Sequence, residues 1–167
     1  MSEFNKMKCA TMFEEADHLI NETKQYDKAY FILQSIIELD SDFGKAYNDL
    51  GWLAQWKTRD IAKAEEYYKK AIQSTPEYIA GYTNYISLLS SQQRWNELAA
   101  IIEAALKVPN TQRNNLFKEQ GIMYEKQGKY PEAISAYKKF AMESVENIKF
   151  DEALKSIARC EEKTKKL

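Results

Sequence analysis

The sequence repeats an aromatic residue every 34 or 35 positions, and this period constrains the fold more than any other feature. The repeated residues are Phe13, Tyr47, Tyr82 and Phe117. Three further columns keep the same spacing: Tyr26, Ile61, Trp95 and Tyr130; Ala29, Ala64, Leu98 and Ala133; and Leu33, Tyr68, Ile102 and Tyr137. A unit of this length cannot bury its apolar face alone. The period therefore predicts an array of stacked copies.

Each copy contains two helical patterns. In the second copy, apolar stripes at helical spacing are formed first by Tyr47, Leu50, Gly51 and Ala54, and then by Ile61, Ala64, Tyr68 and Ala71. Pro76 follows the second stripe and ends it, because proline cannot continue a helix. In the fourth copy, Gly128 suits the end of one helix and Pro131 the first turn of the next.

These patterns predict an all-α protein. Glycine and proline number only 5 and 3 of 167 residues, which leaves little material for the turns of a β-sandwich or barrel. We predict helices at about residues 6–22, 26–39, 43–57, 61–74, 78–92, 95–107, 112–127, 131–143 and 148–163. The last helix is expected to cap the array, with a buried stripe of Phe150, Leu154, Ile157 and Ala158.

The columns and their spacing resemble the tetratricopeptide repeat, a helix–turn–helix unit of about 34 residues. In the second copy the residues that carry the resemblance are Tyr47, Leu50, Gly51, Ala54, Ala64, Tyr68, Ala71 and Pro76. In the fourth copy they are Phe117, Gly121, Tyr124, Gly128, Tyr130, Ala133, Tyr137 and Phe140. The first and third copies match the pattern more loosely.

The resemblance implies a right-handed α-solenoid of antiparallel helix hairpins that forms a single domain over residues 1–167. Its four tetratricopeptide repeats would span about residues 10–43, 44–78, 79–112 and 114–147, with a capping helix at about 148–163. Two departures from the family pattern are single extra residues. One lies in the inter-helix turn of the second repeat and one in the junction 108–112.

The resemblance also implies where a ligand would bind, because the first helices of such repeats line a concave groove. The predicted groove residues are His18, Lys45, Asn48, Trp52, Gln55, Trp56, Asn84, Ser87, Ser91, Lys118 and Ile122. Exposed tryptophan beside amide side chains suits an extended peptide, which needs both stacking area and hydrogen bonds.

Trp52 and Trp56 are the most distinctive of these residues. They are four positions apart, so they share one face of a helix, and both lie off the stripe that contains Leu50 and Gly51. Two interpretations remain open at this point: the tryptophans form a binding hot spot, or they pack against a neighbouring repeat.

The residues offer little for other chemistry. A single histidine, His18, and two cysteines, Cys9 and Cys160, give no multi-histidine metal site and no convincing nucleophile–base pair. We therefore expect no catalytic residue, no metal and no cofactor. The net charge of −1 argues against nucleic-acid binding. No apolar run is long enough for membrane insertion or a signal peptide, so we expect a cytoplasmic protein.

The sequence thus predicts a non-catalytic protein–protein interaction module or scaffold that binds a peptide or partner protein in its groove. Two alternatives remain: a self-associating assembly scaffold, which would be a homo-oligomer, and a specialised chaperone of the type III secretion class.

Overall fold

Helices make up about four fifths of the computed structural model, which describes residues 2–109 and 111–166. They are α1 Glu3–Asn21, α2 Tyr26–Leu39, α3 Gly44–Leu53, α4 Ile61–Ser74, α5 Ile79–Ser91, α6 Trp95–Ala105, α7 Arg113–Lys126, α8 Tyr130–Met142 and α9 Asn147–Thr164. No strand occurs among the described residues. The all-α prediction, an α-solenoid of helical hairpins, is confirmed. Asn110, in the junction predicted to be longer, lies outside the described residues.

A residue with left-handed backbone geometry separates the two helices of every hairpin. These residues are Lys24, Arg59, Gln93 and Gly128, with φ of 57°, 58°, 55° and 73°, and they follow the repeat spacing. The reversed φ lets the next backbone N–H bond back into the helix that has just ended. Examples are Arg94 N–H to Leu89 O at 3.0 Å and Lys129 N–H to Tyr124 O at 2.9 Å. The fourth hairpin has glycine at this position, where it is strain-free.

The extra residue of the second repeat is absorbed by a π-helical turn. This turn, Ala54–Thr58, continues α3 directly. Asp60 N–H closes the turn on Ala54 O at 2.9 Å, six residues back. A single inserted residue thus widens one helical turn and leaves the flanking helices intact.

The described chain divides into two compact units, residues 1–88 and 89–167. We call them the N-terminal and C-terminal units. The core of the N-terminal unit contains Ala16, Leu33, Leu50, Tyr68 and Ile86, all buried. That of the C-terminal unit includes the cluster Phe117, Ala133, Tyr137, Phe140, Ala141, Ala153 and Cys160. The single domain over 1–167 and the repeat boundaries remain predictions.

One glycine–tyrosine contact is built identically in both units. A Cβ atom added to Gly51 would lie 2.6 Å from Tyr68 Cε1, and one added to Gly121 would lie 2.5 Å from Tyr137 Cε1. No Cβ fits at such distances, so these glycines let the two helices of a hairpin approach closely.

The predicted buried stripe of α9 is wrong, because the observed stripe is displaced by one position along the helix. The buried residues are Ala153, Ser156 and Cys160, whereas Phe150 and Leu154 are 45% and 47% exposed. Ala158 is exposed too, and only Ile157 of the predicted stripe is half-buried. The cause is a set of ion pairs that fixes the rotation of α9 against α7: Glu125 with Arg159 and Lys163, and Lys118 with Glu152.

Candidate functional site

One face of α3 carries side chains whose exposure differs: Lys45 is exposed, Asp49 and Trp52 are half-buried, and Asn48 is buried. Lys45, Asn48, Asp49 and Trp52 follow one another at helical spacing, opposite the buried stripe of α3. We call this set the α3 polar face. Lys45 is exposed, and its Nζ lies 5.8 Å from the centre of the Tyr78 ring.

A chain of hydrogen bonds links α5 to the α3 polar face. Asn84 Nδ2 donates to Asn48 Oδ1 at 2.8 Å, and Asn48 Nδ2 donates to Asp49 Oδ1 at 2.9 Å. Asn48 is only 4% exposed, whereas Asn84 is half-buried. Of these two predicted groove residues, Asn48 therefore holds the neighbouring side chains in place and Asn84 offers the more accessible amide.

Asp49 is a residue of this site that the sequence analysis missed. The pKa of its carboxyl group is raised to about 6, chiefly by burial and also by the charge of Asp17, while the hydrogen bond from Asn48 acts in the opposite direction. Burial and the same two carboxylates raise the pKa of Tyr78 to about 12. A signal did exist: Asp49 occupies the same repeat column as Asn84, 35 residues later.

The two tryptophans lie in different environments. Trp52 is half-buried, and its ring centre lies 6.1 Å from that of Tyr26 at the start of α2. Lys57 Nζ covers both rings, at 3.9 Å from the centre of Tyr26 and 5.0 Å from that of Trp52. Trp56 lies in the π-helical turn and is 56% exposed. Trp52 thus packs between successive hairpins, while Trp56 faces solvent.

The remaining predicted groove residues of the N-terminal unit also include both buried and exposed side chains. Gln55 is buried, and its Oε1 accepts a hydrogen bond from Tyr68 O–H at 2.8 Å inside the hairpin. His18 and Ser87 are exposed on α1 and α5. The surface available to a partner therefore includes His18 and Ser87 but not Gln55.

Three predicted groove residues belong to the C-terminal unit. Ser91 is exposed at the end of α5. Lys118 Nζ pairs with Glu152 Oε1 at 2.7 Å, which ties its charge to α9. Ile122 is half-buried and packs against the core cluster of this unit. Lys118 and Ile122 thus have structural partners of their own.

The described residues contain no group of three or more His, Cys, Asp or Glu side chains that could hold a metal ion. Both cysteines, Cys9 and Cys160, are buried and unpaired with each other, and burial raises the pKa of each thiol. Across residues 2–109 and 111–166, none of the helices combines the length and apolar character that a bilayer crossing requires.

Several solved structures share this fold. Pseudomonas aeruginosa PilF is 18% identical, with a TM-score of 0.82 over 98% of this chain and 72% of its own. A structure of MamA is 17% identical, with a TM-score of 0.67 over 95% of this chain and 92% of its own. The N-terminal domain of stress-induced protein-1 from C. elegans is 23% identical, with a TM-score of 0.62 over 71% of this chain and 94% of its own.

Sequence comparison identifies the repeats themselves. Residues 44–78 and residues 116–147 each match a family model described as the tetratricopeptide repeat. These segments contain the glycine–tyrosine contacts of the second and fourth hairpins. No curated protein matches the chain significantly over its sequence. Residues 44–78 and 116–147 are thus similar to tetratricopeptide repeats, and together with the hairpin architecture they support a tetratricopeptide repeat protein.

Proposed function

We propose that the chain is a non-catalytic interaction module that binds a peptide segment of a partner protein on its N-terminal unit. Tetratricopeptide repeats are protein-interaction modules, and a scaffold or partner-binding role fits this chain. The repeat is typically a non-catalytic fold. The proposed binding surface consists of the α3 polar face together with Trp56, Asn84 and Ser87.

The observation that carries this proposal is the exposure of Trp56. A tryptophan that is 56% exposed adds little to the packing of a hairpin, yet it offers a large, rigid contact area to a partner. Tryptophan is enriched at the residues that dominate interface energies. The π-helical turn that displays Trp56 also departs from the regular repeat, and π-turns are frequent at functional sites.

The amides of Asn48 and Asn84 supply the second requirement of peptide binding. Each asparagine side chain carries two N–H donors and a carbonyl oxygen with two lone pairs. The Asn84–Asn48 bond at 2.8 Å engages one donor and one acceptor, which leaves capacity on the half-buried Asn84 for a peptide backbone. The link to Asn48 fixes the orientation of that amide before the partner arrives, which lowers the entropic cost of binding.

Site-specific photo-crosslinking in native lysate tests the proposal. A photoreactive amino acid is placed at Lys45 or Ser87, both exposed at the proposed surface, and at Glu66 of α4 as a matched control. We expect one partner protein to crosslink at positions 45 and 87 but not at 66, and Trp56→Ala to reduce the yield. Crosslinking that is equal at all three positions, or unchanged by Trp56→Ala, would place the interaction elsewhere.

A cytoplasmic location stays a prediction from the sequence.

A further inference from the structure

The outward face of α9 carries apolar and charged residues in a regular order. Phe150, Leu154, Ala158, Glu161 and Lys165 follow one another at steps of three or four residues, and all are exposed. We call this set the outer stripe of α9. A turn of about 100° per residue places it roughly opposite Glu152, Arg159 and Lys163, which bind α7. The ion pairs with α7 therefore hold the outer stripe away from the core.

A groove runs beside the C-terminal half of the same helix. It is lined by Pro131 and Ile134 of α8 and by Glu161, Thr164 and Lys165, and its volume is about 630 Å³. The large apolar residues of the outer stripe, Phe150 and Leu154, lie in the N-terminal half of α9 instead. The helix thus presents bulky side chains at one end and a groove at the other.

Ala158 lies between the bulky side chains at one end of α9 and the groove at the other. At about 1.5 Å per residue, Leu154 lies about 6 Å to one side of Ala158, and the groove residues 161–165 lie about 4.5–10 Å to the other side. Two copies of α9 that cross antiparallel at Ala158 would each place Leu154 over the groove of the other and Phe150, about 12 Å from Ala158, at the far end of that groove. The alanine at the crossing point is small enough to let the helices approach. A contact in which the same surface serves both copies closes as a two-fold dimer.

The charges along α9 favour the antiparallel arrangement. With Ala158 at the two-fold axis, Lys155 faces Glu161 of the second copy, and Asp151 faces its Lys165. All four side chains are exposed and available for such pairs. A parallel arrangement would set each charge against its own equivalent, and like charges across an interface oppose association.

From the outer stripe, the groove and this charge order, we infer that the chain forms a two-fold dimer through α9, with a second copy of itself as the partner. The contact involves a single helix and the edge of α8, so its area is small and the dimer is expected at micromolar concentrations. It uses no residue of the α3 polar face. Its test is therefore independent of the peptide-binding function proposed above.

Sedimentation velocity of the full chain over a range of concentrations tests the dimer. We expect a reversible monomer–dimer equilibrium in which Leu154→Glu weakens dimerisation by about tenfold or more, because it sets a charge over the apolar part of the groove. Gln73→Glu, an equal change of charge at an exposed position outside α9, is the control and should leave the equilibrium unchanged. Helical content by circular dichroism confirms that each variant is folded.

Charge reversal tests the register. Lys155→Glu alone and Glu161→Lys alone should each weaken the dimer, because each variant sets like charges against one another at two symmetric places. When the two variants are mixed, both places regain opposite charges, so the mixture should form a one-to-one heterodimer. A wild-type chain that stays monomeric would overturn the inference. So would a dimer insensitive to these changes, a series of species larger than dimers, or a mixture that forms no heterodimer.

Discussion

Arg159 lies one repeat period, 34 residues, after Glu125, and its guanidinium donates to both oxygens of that carboxylate at 2.8 Å each. Lys163 and the Tyr137 hydroxyl donate to the same carboxylate at 2.9 and 3.0 Å. One side chain of the last hairpin therefore fixes both its own second helix, through Tyr137, and the helix that follows it. In the second hairpin Gln55 takes the corresponding place and accepts from Tyr68.

Replacing Glu125 should loosen α9. The hydrogen bonds from Arg159 lower the pKa of Glu125 to about 2, so its charged form stabilises the fold. We expect Glu125→Gln to cost about 1–3 kcal/mol near neutral pH, because hydrogen bonds to a largely buried charge are lost. Urea unfolding measures the cost, and Glu132→Gln, at an exposed position of α8, is the matched control.

The stability lost in Glu125→Gln should depend on pH, and it should be larger at neutral pH than in acid. A carboxyl group whose pKa is lowered on folding stabilises the protein above its unfolded value, 4.5, and loses this contribution as the pH falls towards 2. The difference between wild type and Glu125→Gln should therefore be smaller at about pH 3 than at about pH 7. A difference that does not change with pH would mean that the carboxylate charge plays no part.

Asp49 should show the opposite behaviour. Its pKa is raised from 3.8 to about 6, so folding favours the protonated form, and stability falls as the pH rises from about 4 to about 6. We expect Asp49→Asn to be more stable than wild type by about 1–3 kcal/mol at about pH 7, with the two converging below about pH 4. Asp17→Asn should lower the pKa of Asp49, which an NMR titration of the carboxyl carbon measures. An unchanged pKa in that variant would contradict the coupling between the two carboxylates.

The glycine–tyrosine contact predicts a contrast between two glycines of the N-terminal unit. Gly51→Ala should cost about 1–3 kcal/mol, because its Cβ would lie 2.6 Å from the Tyr68 ring. Gly81→Ala is the control: its Cβ would meet Ala71 at an ordinary 3.5 Å, and alanine favours the helix by up to about 1 kcal/mol. In thermal unfolding, only Gly51→Ala should have a lower melting temperature than wild type. Equal changes in melting temperature for Gly51→Ala and Gly81→Ala would show that α3 and α4 can move apart without loss of stability.

Trp52 is expected to contribute to folding. Trp52→Ala removes the ring that packs on Tyr26 and is covered by Lys57, so we expect a loss of about 1–3 kcal/mol, below the cost for a fully buried tryptophan. Trp56→Ala, at an exposed position, should change stability by no more than about 0.5 kcal/mol. Urea unfolding of both variants separates these values, and a larger loss for Trp56 would reverse the two assignments.

The repeat period predicted the hairpins because it reflects packing that every copy must satisfy. Gly51 and Gly121 fall in one repeat column, but their spacing did not reveal that each faces a tyrosine ring in the paired helix. The helix ends were also predictable, since turns such as the one at Gly128 recur with the period.

The details of the site were less predictable because they depend on single residues outside the columns. An inserted residue became a π-helical turn, and helical spacing alone could not reveal that Trp52 packs while Trp56 is exposed. Asn48 belongs to the predicted groove but is buried, and its amide oxygen accepts a hydrogen bond from Asn84. The rotation of α9 was set by ion pairs of Glu125, which no apolar pattern records.

The central claim is that Trp56 contributes to partner binding and not to folding. The direct measurement is a calorimetric titration of the crosslinked partner, once purified, with wild type, Trp56→Ala and the control Phe31→Ala, which removes another exposed aromatic ring of the same unit. We predict that Trp56→Ala weakens binding by about 2 kcal/mol or more, as truncation of an interface hot spot does, while Phe31→Ala leaves it unchanged. Wild-type affinity in a fully folded Trp56→Ala variant would contradict the claim.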